Sequence, residues 1–205
     1  MRPQADSVLV IACGAIAREI HQLKRLNEWS HMDLQAIDAR LHFTPDRIPQ
    51  AVRDKLAAAG GIYRKIYVAF ADCGTYGALD RVLEEFDVER LPGLHCYATF
   101  AGQARFEQFH EEEPGTFYLT DFLVRHFERL VVSALKIDTH PELKQAFFGN
   151  YSRVIFLAQT ANPALRERAR EIAQFLELHF CEVNTGCGEL VPELASFVGE
   201  RHAVG

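Results

Sequence analysis

Several features are missing from this sequence, and each absence narrows the reading. No apolar run reaches the roughly 20 residues that a membrane-spanning helix needs, so the chain offers no candidate for one. There is no basic stripe, and 22 Lys and Arg stand against 28 Asp and Glu, a formal net charge of −6. That balance argues against nucleic acid as a partner. The chain has no Cys-x-x-Cys pair, no His-Glu-x-x-His and no zinc-finger spacing. It also lacks a GxGxxG fingerprint and a Walker loop, which leaves nucleotide binding without a motif. No internal repeat, low-complexity tract or long linker interrupts it. The five cysteines are odd in number and not closely paired, which fits a reduced, cytoplasmic compartment better than a disulfide framework. The N-terminal "VLVIACGAIA" resembles a short signal core but serves better as a first strand leading into a charged helix.

What is present is an ordinary globular balance, 48% hydrophobic and 24% charged residues over 205 positions. Such a chain is long enough to bury a sizeable core without staples, and we expect one α/β domain over residues 1–205. "SVLVIACG" (7–14), "KIYVAFADCG" (65–74) and "SRVIFLAQT" (152–160) read as strands apolar on both faces. "MDLQAIDARLHF" (32–43) reads as a strand running into a loop at "TPDRIP", and "FCEV" (180–183) as a last short strand. Between them lie helix patterns: 15–27, where Ile16, Ile20, Leu23 and Leu26 share a face; 49–61, ended by glycines; 77–87; 140–151; and 162–179, with Asn162 at its cap and Pro163 just inside. The centre of 88–102 reads as a short strand, 115–136 as a long helix starting near Thr120, Glu111-Glu112-Glu113 as a solvated loop, and the terminal helix as interrupted by Pro192. Strand and helix alternate, which predicts a Rossmann-like, three-layer α/β fold with a mainly parallel sheet and helices on both faces.

In an open parallel sheet all strand carboxyl ends lie on one edge, and ligands bind in the crevice there, at the topological switch point. On this reading Cys13 ends the first strand and Cys73 the third. His95 and Cys96 lie near the end of the fourth, and His42 follows the second. Gln159 and Thr160 fall on the same presumed rim. Thiolates and imidazole are zinc donors; four close a structural site and three leave a catalytic position open. Cys13 and Cys73 also precede helices, whose N-termini favour the thiolate. The assigned ligands are Cys13, Cys73, Cys96 and His95, with His42 and His95 as proton carriers. Against this, free cysteine also packs as a small buried hydrophobe, and a metal-free enzyme with Cys73 as nucleophile uses the same residues differently. Cys181 reads as core and Cys187 as part of a tight glycine turn. "CGTYG" and "TGCG" are glycine-containing turns able to approach an anion.

The segments "LHFTPDRIP", "DCGTYGALD", "LPGLHCY", "GTFYLTDFLVRHF", "HPEL…FFGNY" and "LAQT" resemble an uncharacterised family of bacteria and archaea, a domain of unknown function whose genes often lie near corrinoid methyltransferase genes. The resemblance runs from "ACGA" to "TGCGEL". It implies a role in cobalamin-dependent one-carbon metabolism, with a corrinoid protein or methyltransferase component as partner and a small-molecule substrate. It adds weight to Cys13, His42, Cys73, His95 and Cys96. The family pattern has an acidic residue directly after the "HCY" segment, where this chain has Ala98. The leading expectation is therefore a zinc-dependent enzyme of methyl-group or related one-carbon transfer. The alternative is a non-catalytic binding or maturation partner of a corrinoid protein. The apolar helix around "FYLTDFLVRHFERLVVSAL" would suit such a face, a homodimer contact or simply the core.

Overall fold

The computed structural model describes residues 7–199. They group into two compact units, one formed by the segments up to Thr99 and from Glu189 onward, the other by Phe100–Gly188. Each unit has its own all-parallel sheet, and the class is Rossmann-like α/β, as the alternation of elements predicts.

The first unit holds β1 (Val8–Cys13), α1 (Ala17–Leu26), β2 (Met32–Ile37), α2 (Ile48–Ala59), β3 (Lys65–Ala69), α3 (Ala78–Phe86) and the two-residue β4 (Glu89–Arg90). Its strands lie in the order β2-β1-β3-β4, all parallel, with Val8 opposite Met32 on one side and Lys65 on the other. Every residue of β1 is buried, as expected for a central strand covered on both faces. The chain leaves β1 toward β2 on one side and later returns to β3 on the other. The boundary between β1 and β3 is therefore the switch point of this sheet.

The second unit holds α5 (Gln103–Glu112), β5 (Thr116–Thr120), α6 (Asp121–Phe127), α7 (Glu142–Phe148), β6 (Arg153–Ala158), α8 (Pro163–Leu176) and β7 (His179–Asn184), where α4 (Cys96–Ala101) precedes α5. Its sheet order is β5-β6-β7, again parallel. Leu119, Phe127, Val154, Phe156, Ala169 and Ile172 form the centre of its core. The last helix, α9 (Leu190–Val198), belongs to the first unit.

Four expectations are corrected here. Residues 116–120, inside the segment expected to be one long helix, form a strand: "TFYLT" is mostly β-branched and aromatic, while the helix itself begins at Asp121, near Thr120 as expected, capped by the Thr120 hydroxyl. It then widens into a π-helical turn over Glu128–Val132. The centre of 88–102 holds no long strand. β4 stops at Arg90, Pro92 and Gly93 break the pattern, and Cys96–Ala101 is helical. Helix α5 runs through a segment where the sequence shows no clear apolar stripe, and it carries Glu111 and Glu112 at its end. Pro192 does not interrupt α9, because it falls in the first turn, where its missing N–H costs nothing.

Candidate thiol site and family

Four candidate residues come together at the carboxyl ends of the four-stranded sheet. Cys13 is the last residue of β1. Gly14 follows, and only a glycine fits there: a Cβ would stand 2.9 Å from the Ile37 carbonyl at the end of β2. After β2 the chain folds into a short 3-10 turn over Ala39–Phe43, with Asp38 capping it through the Arg40 N–H. That turn carries His42 back toward Cys13, whose Sγ lies 4.0 Å from Nδ1 and 3.9 Å from Nε2. The His42 Nδ1 is 2.9 Å from the Ala39 carbonyl. A carbonyl only accepts, so Nδ1 carries the hydrogen and Nε2 keeps its lone pair on the side of the Cys13 thiol, 3.9 Å away, the tautomer metal-binding imidazoles adopt. The ring is stacked on Phe70 at 6.4 Å. Burial of the ring lowers its pKa, and the bond to Ala39 opposes this, so neutral imidazole is favoured. The residue keeps considerable exposed surface, which limits the shift.

Cys73 follows β3 in the turn Asp72-Cys73-Gly74-Thr75-Tyr76-Gly77. Here Cys73 (φ 50), Gly74 (φ 84), Tyr76 (φ 50) and Gly77 (φ 77) all take left-handed backbone conformations. A non-glycine residue held there costs about 1–3 kcal/mol, and the Asp72 carboxylate is what holds it. It accepts the Gly74 N–H at 3.2 Å, the Thr75 hydroxyl at 2.9 Å, the Tyr76 N–H at 3.1 Å and the Gly77 N–H at 2.9 Å. Burial would raise the pKa of Asp72, but these bonds together hold it below the usual carboxylate range. The anion cradle that "CGTYG" offers is thus filled by the chain's own carboxylate. On the other side, the Asp72 N–H donates to the Gly93 carbonyl at 3.1 Å and the Cys73 N–H to that of Leu94 at 2.8 Å. Arg90 ties the same loop: it donates to the carbonyls of Leu91 and Gly93 and grips Asp80 through two nitrogens. This zipper brings Cys96, at the start of α4, to Cys73, whose thiol accepts the Cys96 backbone N–H.

Burial dominates all three thiols, and Cys13 and Cys96 also feel neighbouring sulfur. Burial pushes Cys13 up to about 12, partly opposed by the Ala15 N–H that donates to its Sγ at 3.4 Å, with the charge of Cys73 adding to the rise. Burial likewise pushes Cys73 up to about 11, against the N–H of Cys96. Cys96 is raised well above an ordinary thiol, first by burial and then by the charges of Cys73, Cys13 and, more weakly, Glu19. All three therefore stand as neutral thiols at pH 7, and a helix N-terminus does not suffice to ionise Cys13 or Cys73. Among the described residues no group of three or more His, Cys, Asp or Glu side chains is already drawn in closely enough to hold an ion. The donor types fit a soft cation, while the spacing is that of an open cluster.

Other candidates fall elsewhere. His95 is exposed, with its ring 6.4 Å from that of Tyr97; the imidazole beside a site thiol is that of His42. Gln159 and Thr160 follow β6, in the second sheet rather than on this rim. There Gln159 Oε1 accepts the Asp121 N–H at 2.6 Å, the Gln159 N–H donates to Asp121 at 3.1 Å, and the Thr160 hydroxyl donates to Asp121. Cys181 is not core: β7 is an edge strand, the residue is half-buried, and its Sγ lies 3.4 Å from Nδ1 of His179 on the same strand. Cys187 sits between Gly186 (φ 56) and Gly188 (φ 51) in a tight turn. Ala98 is buried in α4.

Sequence reasoning missed Glu19, only 6% exposed in the first turn of α1. The signal was available: Glu19 falls between Ile16 and Leu23 on the apolar face of the helix, three residues after one and four before the other. It also missed Asp72 as the organiser of the Cys73 turn.

No curated protein and no solved structure matches the chain. A family model described as "Protein of unknown function (DUF1638)" matches residues 36–193, a span that includes His42, Cys73, His95 and Cys96 and begins after Cys13. The chain therefore belongs to the DUF1638 family of proteins of unknown function.

Proposed function

We propose that the carboxyl edge of the four-stranded sheet is a zinc centre built from Cys13, Cys73, Cys96 and an imidazole, serving a one-carbon transfer linked to a corrinoid protein. The observation that carries the metal reading is the approach of three thiols, two of them buried, from three distant segments at the β1/β3 switch point, with Cys73 raising the pKa of Cys13 and both raising that of Cys96. Their high pKa values weigh against a metal-free nucleophile, because only the thiolate attacks. Buried neighbouring thiols ionise readily only when a cation takes their protons' place. His42 supplies the nitrogen donor through Nε2, and His95, on the exposed loop before Cys96, is the residue placed to exchange protons with solvent.

Bound there, zinc would supply Lewis acidity and hold a substrate thiol as its thiolate at neutral pH. The chain's own contribution is positional. Asp72 fixes the turn of Cys73, Arg90 fixes the loop before Cys96, and the Ala39 carbonyl fixes the tautomer of His42. The corrinoid link rests on the family resemblance.

A second reading is a non-catalytic partner or maturation factor for a corrinoid protein. It is favoured by Phe43, Tyr76 and Leu94, exposed at 49%, 90% and 68%, each within three residues of a site histidine or cysteine. Such exposed apolar side chains suit a docking surface.

Elemental analysis after purification without chelator tests the first reading. About one zinc per chain is expected, lost on replacing Cys13, Cys73 or Cys96 with alanine. Less than about a tenth of an equivalent would exclude it. Methyl transfer to or from a corrinoid carrier, assayed with the zinc-loaded protein, separates catalysis from mere binding of that carrier.

A further inference from the structure

The two sheets end in unlike edge strands. On one side of the first sheet β4 has only two residues, too short to offer another chain much to pair with. On one side of the second, β7 has six, joined to β6 without a bulge from His179 opposite Arg153 to Asn184 opposite Ala158. Short length, proline, lysine or a bulge commonly blunts such an edge, and "HFCEVN" shows none of these. The His179 N–H donates to the Ser152 carbonyl at 3.0 Å and the Thr185 N–H to that of Ala158 at 3.0 Å. The alternate residues Phe180, Glu182 and Asn184 therefore turn their N–H and carbonyl groups outward. The apolar helix that a homodimer could have used is spent elsewhere: Val124, Phe127, Val131 and Val132 are buried in the core of the second unit.

We propose that β7 pairs with β7 of a second copy of this chain, antiparallel across a two-fold axis at Cys181. Side chains opposite each other in an antiparallel pair share a face, so the axis falls on a residue, and two registers align five of the six. With Glu182 on the axis, two carboxylates stand opposite each other, which is destabilising. With Cys181 on the axis, Phe180 exchanges backbone hydrogen bonds with the partner's Glu182. Cys181 then faces the partner's Cys181 at a non-hydrogen-bonded position, with Cα atoms about 4.5 Å apart, within disulfide reach. Charge complementarity favours this register. The Arg170 guanidinium lies 5.6 Å over the Phe180 ring and its side chain is 49% exposed, so the partner's Glu182 arrives beside a cation, and by symmetry this happens twice. Side chains stand perpendicular to a sheet, so pairing at the edge leaves the Cys181 thiol open to a small reagent.

Sedimentation of the reduced full chain from about 1 μM to about 1 mM should show monomer passing into dimer and nothing larger, because an isologous contact closes at two copies. Diamide takes two electrons and two protons from a pair of thiols as their S–S bond forms. It should link the dimer through Cys181 to Cys181, identified by peptide mass spectrometry and absent in Cys181→Ser. Arg170→Glu should raise the dissociation constant about tenfold, with an unchanged melting temperature of the monomer. A chain that is still monomeric at about 1 mM overturns the proposal, as does assembly beyond two copies. A dimer linked only through other cysteines, or one indifferent to Arg170→Glu, uses another surface and overturns it as well. Should Arg170→Glu lower the melting temperature, the Cys181 linkage and the sedimentation decide. The metal reading stands or falls separately, on zinc content.

Discussion

The two parallel sheets finish their carboxyl edges in opposite ways. In the three-stranded sheet the edge is closed by strong hydrogen-bonding groups. Asp121, 2% exposed, receives the Gln159 N–H and the Thr160 hydroxyl, stands 4.0 Å from the Arg125 guanidinium, and returns its own N–H to the Gln159 side chain. The Gln159 amide nitrogen is spent on the Leu157 carbonyl at 2.5 Å. In the four-stranded sheet the corresponding edge carries sulfur. Thiols are weak hydrogen-bonding groups, and Cys13 and Cys73 are met mainly by nearby backbone N–H groups, those of Ala15 and Cys96 foremost, with the His42 ring 3.9 Å from Cys13. Strong polar groups are present there too, but Asp72 and Arg90 are used one step back, on the loops that carry the cysteines. A saturated edge is a structural device. An edge that collects soft, weakly bonded donors has no such structural saturation, which is what the proposed ligand site requires.

The largest effect expected from this asymmetry is in thiol reactivity. No cysteine is disulfide-bonded, so all five are available to compare. At pH 8 a thiol at about 11 or 12 holds roughly two hundred to two thousand times less thiolate than an ordinary one near 8.5. Native iodoacetamide labelling, read by peptide mass spectrometry, should modify Cys181 and Cys187 of the second unit long before Cys13, Cys73 or Cys96. Labelling of the three site cysteines at the rate of Cys181 would erase the distinction between the two edges.

Stability should show the reverse bias. Replacing Asp121 with alanine strips partners from Gln159, Thr160 and Arg125 at once, and removing one member of a buried charged network costs about 3–5 kcal/mol. Replacing Cys13 with alanine leaves no strong polar group stranded. It removes one sulfur from a buried site, and the cost should stay near about 1–2 kcal/mol. Urea unfolding of both variants checks the order. If Cys13→Ala proves the more damaging, its sulfur is core packing and the edge is not reserved for a ligand.

How much of this is readable from the chain depends on which physical signal carries it. The strands Val8–Cys13, Lys65–Ala69 and Arg153–Ala158 announce themselves by nearly continuous apolar residues, because burial on both faces leaves no alternation to misread. Cys13 and Cys73 can be assigned to strand ends for the same reason. The pattern puts Cys96 near them but on the wrong element: a two-residue strand and a six-residue helix leave too little periodicity to tell apart. Thr116–Thr120 merges with the amphipathic helix after it, since no glycine or proline separates them. The division of the strands between two sheets is a matter of pairing, which local pattern does not encode; the misplacement of Gln159 and Thr160 follows from it. Choosing His42 over His95 as the imidazole beside a thiol requires the turn at Ala39–Phe43, whose 3-10 geometry a proline-bounded loop does not reveal.

The smallest expected effect tests the claim that polar groups in the first unit serve the loops and not the edge itself. Asp72→Asn keeps the size of the side chain but removes the charge that gathers three N–H groups and a hydroxyl. Hydrogen bonds to a charged acceptor are worth about 1.5–3 kcal/mol each in isolation, yet asparagine keeps one accepting oxygen, so a net loss of about 1–2 kcal/mol is expected. The pH dependence identifies the cause. The folded-state pKa of Asp72 lies below its unfolded value, so its contribution is present above the unfolded value of about 3.9 and fades as the pH falls through the folded one. The stability gap between wild type and variant, measured by urea unfolding, should therefore be full at pH 7 and shrink below about pH 4. Because the backbone at Cys73 is held left-handed by this carboxylate, zinc binding should weaken in the same variant while Asp121→Asn leaves it unchanged. A gap that does not move with pH, or zinc affinity equally insensitive to both substitutions, would detach the Cys73 turn from Asp72 and leave the thiol edge without its organiser.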